Sequence, residues 1–100
     1  EALAKANENS WRILFSIANV FSYNEYFKEA IQMWQKTFDC MPKPRYTDSF
    51  EAMAQCCVRM GDHESAVEYY KKELELLRED WGLKYGAEVD ALGEKIRALQ

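Results

Sequence analysis

Apolar positions along this chain recur at spacings of three and four rather than two, a helical pattern throughout. Leu3, Trp11, Leu14, Ala18 and Phe21, with Asn7 on the same line, form one stripe and predict a helix from about Leu3 to Ser22. Ser22, Tyr23 and Asn24 make a polar break. Phe27, Ala30, Ile31, Trp34 and Phe38 then predict a second helix from about Tyr26 to Cys40, ended by Pro42 and Pro44. Phe50, Met53, Ala54 and Cys57 predict a third from about Arg45 to Met60. Thr47 or Asp48 is a candidate cap, with Glu51 completing a box to Asp48, and Pro44 offers a competing start. Gly61 stops this helix, and Asp62 caps a fourth from His63 to about Asp80, with Ala66, Tyr70, Leu74 and Leu77 inward. Gly82 and Gly86 mark a loop before a fifth helix from about Lys84 to Leu99, striped by Val89, Leu92, Gly93 and Ile96.

The second and third of these stripes are not independent of what surrounds them. A shift of 36 residues pairs Leu14 with Phe50, Ile17 with Met53, Ala18 with Ala54 and Phe21 with Cys57. The same shift pairs Ala30 with Ala66, Ile31 with Val67, Trp34 with Tyr70 and Phe38 with Leu74. Small falls on small and large on large. A period in the thirties with fixed small and large apolar sites marks stacked helical hairpins, each needing a neighbour to bury its apolar face. Alanine at the contact sites permits close approach of helix axes, and the aromatic residues fill the space beside them.

These residues resemble the tetratricopeptide repeat family. The second repeat supplies Phe50, Met53, Ala54, Cys57, Gly61, His63, Ala66 and Tyr70; the first supplies Leu14, Ile17, Ala18, Phe21, Phe27, Ala30, Trp34 and the closing Pro42. The chain departs from the family pattern at three sites: Glu25 stands where glycine is usual, Glu73 where a small residue is usual, and Arg78 where a second proline is usual. The resemblance implies an all-α fold of antiparallel helical hairpins stacked in a right-handed superhelical array. One such unit spans residues 1–100: repeat one at about 11–44, repeat two at about 47–80 and a final helix at about 84–99. The longer spacing into the last helix, with the run from Tyr69 to Leu77, is similar to the repeats of polarity and signalling scaffolds. The family's concave groove is lined by the first helix of each hairpin. By resemblance its positions fall on Arg12, Phe15, Asn19, Ser22 and Tyr23, then on Asp48, Glu51, Gln55, Val58 and Arg59, then on Ala87, Asp90, Glu94 and Arg97. A chaperone-tail clamp is not expected, because only Asn19 matches its pattern; Phe15, Ala52, Ala87 and Ala91 stand at the other positions.

Composition narrows the function further. The chain is 48% hydrophobic and 14% aromatic, too apolar for a disordered tail. Net charge is −4; residues 1–60 carry seven acids and seven bases, so the excess lies in residues 61–100. Mixed-charge helices with an acidic bias do not attract phosphate backbones, so no nucleic-acid partner is expected. No apolar run reaches the roughly 18 residues of a membrane span, and residues 1–10 have no apolar core, so neither membrane insertion nor a signal peptide is expected. The missing initiator Met and the helical character of both ends lead us to expect a piece of a longer protein.

The candidate chemistry is sparse. His63 lacks a ligand pair at helical spacing and is expected to pack at a family core site. Cys40, Cys56 and Cys57 form an odd set with no Cys-x-x-Cys, consistent with inert thiols in a reducing compartment, the cytoplasm or alternatively the nucleus. No glycine-flanked serine and no glycine-rich phosphate loop occur. We therefore expect no catalytic residue, no metal and no cofactor, hence no enzyme. The expected function is a scaffold that binds a peptide or helix of a partner protein. Its groove residues are Arg12, Phe15, Asn19, Tyr23, Asp48, Glu51, Gln55, Val58 and Arg59. Phe15, Tyr23 and Val58 carry most weight here, since they lie off the core stripe, where a merely solvated face has no use for them. The alternative is a structural spacer or self-association segment of a longer solenoid, contacting its neighbours through exposed array ends, with Trp11 and Trp81 as candidate contacts.

Overall fold

A computed structural model describes residues 10–100. Five helices follow one another in the described residues: α1 Ser10–Tyr23, α2 Phe27–Cys40, α3 Asp48–Arg59, α4 His63–Trp81 and α5 Ala87–Leu99. The expected all-α array of helical hairpins is the observed architecture. Each helix packs mainly on its neighbours in sequence, α1 on α2, α2 on α3, α3 on α4 and α4 on α5. The result is a slab of about 42 × 34 × 17 Å. Leu3 and Asn7 of the expected first stripe lie outside the described residues.

Two apolar clusters hold the slab together. One gathers Trp11, Ala18, Ala30, Trp34, Phe38 and Met41 of the first hairpin with Phe50, Met53 and Cys56 of α3. The other gathers Ala54 and Cys57 of α3 with Ala66, Val67, Tyr70 and Leu77 of α4 and Leu92 and Ile96 of α5. Ile31 and Tyr69 pack against both. The four repeat alanines, Ala18, Ala30, Ala54 and Ala66, are completely buried. Phe38 and Phe50 meet at 4.5 Å between ring centroids, a tilted aromatic contact that joins the two hairpins.

Local signals fix most helix ends. Asp62 caps α4 as expected, its Oδ1 accepting from the Ser65 backbone N–H at 3.1 Å. Glu25 and Gly61 close α1 and α3 with the same pair of hydrogen bonds. In each, the next residue's N–H reaches back five positions and the closing residue's own N–H reaches back three.

Two starts differ from expectation. α3 begins at Asp48 rather than near Arg45 or Pro44, because Arg45 is held by the end of α4. Its backbone N–H and guanidinium both donate to Asp80, at 2.9 and 2.8 Å, and its carbonyl accepts from the Trp81 indole at 2.7 Å. Neither Thr47 nor Asp48 forms the expected cap; Thr47 occupies the cap position without a capping side-chain hydrogen bond, and the Glu51 carboxylate pairs with Lys95 instead. α5 begins at Ala87 rather than Lys84, because Gly86 at φ 124° stands outside helical geometry.

Three packing expectations are also corrected. Ile17 is 39% exposed although its repeat partner Met53 is fully buried. Met53 belongs to the apolar cluster that α3 shares with the first hairpin, whereas among the described residues α1 packs mainly on α2. Trp11 is buried beside Tyr46 and beneath the Arg12 guanidinium, which agrees with its place on the first stripe and removes it as a contact at an exposed end. His63 is exposed at the start of α4 rather than packed in the core.

Candidate functional site

α1 and α3 lie side by side as the first helices of their hairpins, and a cavity of about 310 Å³ opens between them. Phe15 and Asn19 line it from α1, and Asp48, Glu51, Ala52 and Gln55 from α3, with Thr47 at its edge. Five of the nine expected groove residues therefore meet at one place. Period explains the convergence: Phe15 and Asn19 are one helical turn apart, as are Asp48, Glu51 or Ala52, and Gln55.

The other four do not join them. Arg59 sits further along the α1–α3 crevice, its guanidinium 4.7 Å above the Phe27 ring and its Nη1 donating to the Ser22 hydroxyl at 3.4 Å. Ser22 in turn lies 3.5 Å from the buried Cys56 sulfur. Arg12 stacks on Trp11 near the opposite end of α1. Val58 is exposed on α3, and Tyr23 is 87% exposed at the close of α1. Neither lines the cavity.

Two further depressions share walls with the first. One, about 230 Å³, lies between α3, α4 and α5 and is lined by Thr47, Glu51, Glu73, Glu88, Ala91, Leu92 and Lys95. The second, about 260 Å³, has Tyr46, Leu77, Trp81 and Leu83 as its apolar part and Asp48 and Glu88 as its acidic part, with Thr47 between. Thr47 borders all three. The α5 residues that reach this surface are Glu88, Ala91, Leu92 and Lys95. The expected Ala87, Asp90, Glu94 and Arg97 are exposed on α5 and line none of the three.

The combined surface is acidic. Among the described residues, Asp48, Glu51, Glu73 and Glu88 border it against a single cation, Lys95. Lys95 Nζ lies 3.3 Å from Glu51 Oε1 and 5.5 Å from the centre of the Tyr70 ring. Glu73 is the unusual member: only 5% exposed, with Oε1 buried and accepting no hydrogen bond. Burial first, and then the neighbouring Glu51 carboxylate, push its pKa up to about 7, against the opposing pull of Lys95 and a hydrogen bond with Thr47. Burial likewise raises the Tyr70 phenol.

Sequence reasoning missed Glu73, Thr47, Glu88 and Lys95 as site residues. Glu73 had left a trace: a carboxylate three residues after Tyr70 and four before Leu77 sits on the apolar stripe itself, where charge is costly. Lys95 and Glu88 left none, because solvent-side charges on an amphipathic helix look alike.

No metal-holding group of three or more His, Cys, Asp or Glu occurs among the described residues. Cys56 and Cys57 are buried and Cys40 is exposed, all three as free thiols. Burial pushes the Cys57 thiol up to about 11, far from a reactive thiolate. No helix among the described residues is long and apolar enough to cross a membrane. In comparisons with known proteins, no family model matches the chain, and no curated protein matches it either.

Proposed function

We propose that this chain is a non-enzymatic, tetratricopeptide-like interaction module that holds a peptide or helix of a partner protein along the groove formed by α1, α3 and α5. One observation carries the reading: Phe15 and Asn19 of α1 and Asp48, Glu51 and Gln55 of α3 line a single cavity. An apolar ring beside carboxamides is the lining that a peptide backbone and its side chains need. Asn19 and Gln55, 36 residues apart, each offer a donor and an acceptor to an extended backbone. The compartment expected for such a module is the cytoplasm or nucleus, where its three free thiols stay reduced.

The test is a peptide selected from a random display library against the whole chain. Binding measured by calorimetry should fall about thirtyfold or more when a central contact such as Phe15 is cut to Ala. Asn19→Ala with Gln55→Ala should weaken it further, and Glu68→Lys on the exposed face of α4 should leave it unchanged. Equal binding by all these variants sinks the groove reading.

A spacer or self-association role is the second reading, favoured by Ile13, Ile17 and Val20. These three large apolar residues share one face of α1 and all are exposed, whereas their equivalents 36 residues later, Ser49, Met53 and Cys56, are buried. Concentration-dependent association that Ile17→Glu abolishes would favour it.

A further inference from the structure

We propose that the cavity between α3, α4 and α5 is a receptor for an arginine side chain of the bound partner, with Glu73 as its buried counter-ion and Glu51 and Glu88 as flanking carboxylates. The inference rests on the groove reading above and supplies what that reading lacks, the chemistry of an anchoring residue.

Three observations converge on a cation. Glu73 is 95% buried, yet its Oε1 has no hydrogen-bond partner, and the residue forms part of the cavity wall. An orphaned carboxylate oxygen in such a place carries a desolvation cost that a donor from outside would remove. The cavity's other charged walls are Glu51 from α3 and Glu88 and Lys95 from α5, two acids against one base, and Asp48 adds a further negative charge from α3. Ala91 and Leu92 give an apolar side against which the methylene stem of a long cationic residue can lie. Lysine presents a compact point charge, whereas the guanidinium offers five donors in a planar fork, enough to serve more than one carboxylate at once.

Lys95 is one wall of this cavity. Its ammonium pairs with Glu51 at 3.3 and 3.5 Å but makes no hydrogen bond to Glu73, and its side chain is 43% exposed. It is a placeholder on a flexible stem. An incoming guanidinium displaces it from Glu51, reaches the Glu73 oxygen behind, and releases Lys95 to solvent. The protonation of Glu73 is then linked to occupancy. The groups that face it are Asp48 and Glu51 on α3, Glu88 and Lys95 on α5, and Tyr70 on its own helix. Burial, and then Glu51 and Asp48, hold the carboxyl up at about 7; a guanidinium alongside must lower it.

The probe is Nα-acetyl-L-arginine amide, added to the whole chain carrying ¹³C-labelled glutamate, with Nα-acetyl-L-citrulline amide at matched ionic strength as the uncharged isostere. Carboxyl resonances followed across pH should show the Glu73 midpoint falling by about one pH unit or more with the arginine compound and staying in place with the citrulline compound. Lys95→Met should tighten binding of the arginine compound, and Glu73→Gln should abolish its saturable shifts at Glu51 and Glu88 while the helical spectrum is kept. A Glu73 midpoint that ignores the arginine compound, or moves equally with citrulline, overturns the proposal in the wild-type chain, independently of how any variant folds. If that happens while Phe15→Ala still weakens peptide binding, the anchor falls and the groove stands. If the arginine shift appears but peptide binding ignores Phe15, Asn19 and Gln55, the cation site stands and the groove reading falls.

Discussion

Glu25 and Gly61, 36 residues apart, hold the same left-handed backbone conformation, at φ 66° and 81°. Each closes the first helix of its hairpin through the same two backward hydrogen bonds, from Glu25 to Ser22 and Tyr26 to Phe21, and from Gly61 to Val58 and Asp62 to Cys57. Glycine adopts this geometry freely. Glutamate does so against a contact between its Cβ and the neighbouring carbonyl.

Glu25→Gly should therefore stabilise the chain by about 1 kcal/mol, the order of the left-handed penalty it removes. Gly61→Ala should lose a comparable amount, even though a Cβ there would meet nothing within 4 Å, because the cost is conformational rather than steric crowding by neighbours. Urea midpoints of the two variants test this; a destabilised Glu25→Gly would show that the Glu25 side chain contributes more than its backbone loses.

The close approach of α3 and α4 depends on Ala66, which is fully buried. Ala66→Trp should destabilise by about 1–3 kcal/mol or more, as overpacking of a tight helix contact does. An unchanged thermal midpoint by circular dichroism would mean that the two helices do not meet as described.

Glu73 gives the chain a pH dependence of unusual sign. Its folded pKa, raised to about 7 from an ordinary 4.5, means that the native state holds a proton that the unfolded chain has already released. Stability should thus fall as pH rises from about 4.5 to 7, and the loss is complete above 7, with a magnitude on the order of 3 kcal/mol. Glu73→Gln should flatten this slope and be the more stable protein at pH 8. Chemical denaturation at pH 5 and pH 8 distinguishes the outcomes; parallel behaviour of wild type and variant refutes the assignment.

Asp80 acts in the opposite direction. Hydrogen bonds from the Arg45 guanidinium and backbone hold its carboxyl down at about 2. Its contribution is present above the ordinary carboxylate range and is lost as pH falls from about 3.8 through 2. Asp80→Asn should lower stability at neutral pH and remove that acid-side loss. Arg45→Lys should not replace the wild type, since an ammonium cannot make the two-pronged contact. Trp81 fluorescence reports both, because the indole donates to the Arg45 carbonyl.

Much of this fold was legible in the order of residues, for identifiable reasons. The extents of α2 and α4 follow from strong stripes bounded by Pro42, Gly61 and the Asp62 cap, all local signals. The start of α3 was not legible, because what holds Arg45 out of the helix is Asp80, 35 residues away. The cover over Trp11 and the lack of it over Ile17 were not legible for a related reason: burial depends on what stands opposite, and a stripe says which face is apolar, not whether it is covered. At the candidate site, the resemblance to tetratricopeptide repeats pointed to Phe15, Asn19, Asp48, Glu51 and Gln55, and these five do line one cavity. Glu88 and Lys95 come from α5, whose longer connection breaks the register, and only the fold brings them beside Glu73.

α3 gives Phe50, Met53 and Cys56 to one apolar cluster and Ala54 and Cys57 to the other, so its apolar side is divided between the two. The repeat boundary visible in the sequence at residues 41–47 is therefore not a seam along which the protein comes apart. A cut there leaves two halves that each carry half of a shared interior, and neither half is a smaller version of the whole. Modular in its arithmetic, the chain is indivisible as a material object. Anyone grafting its second hairpin into another protein must carry α2 along, or supply a replacement for the surface that α2 covers.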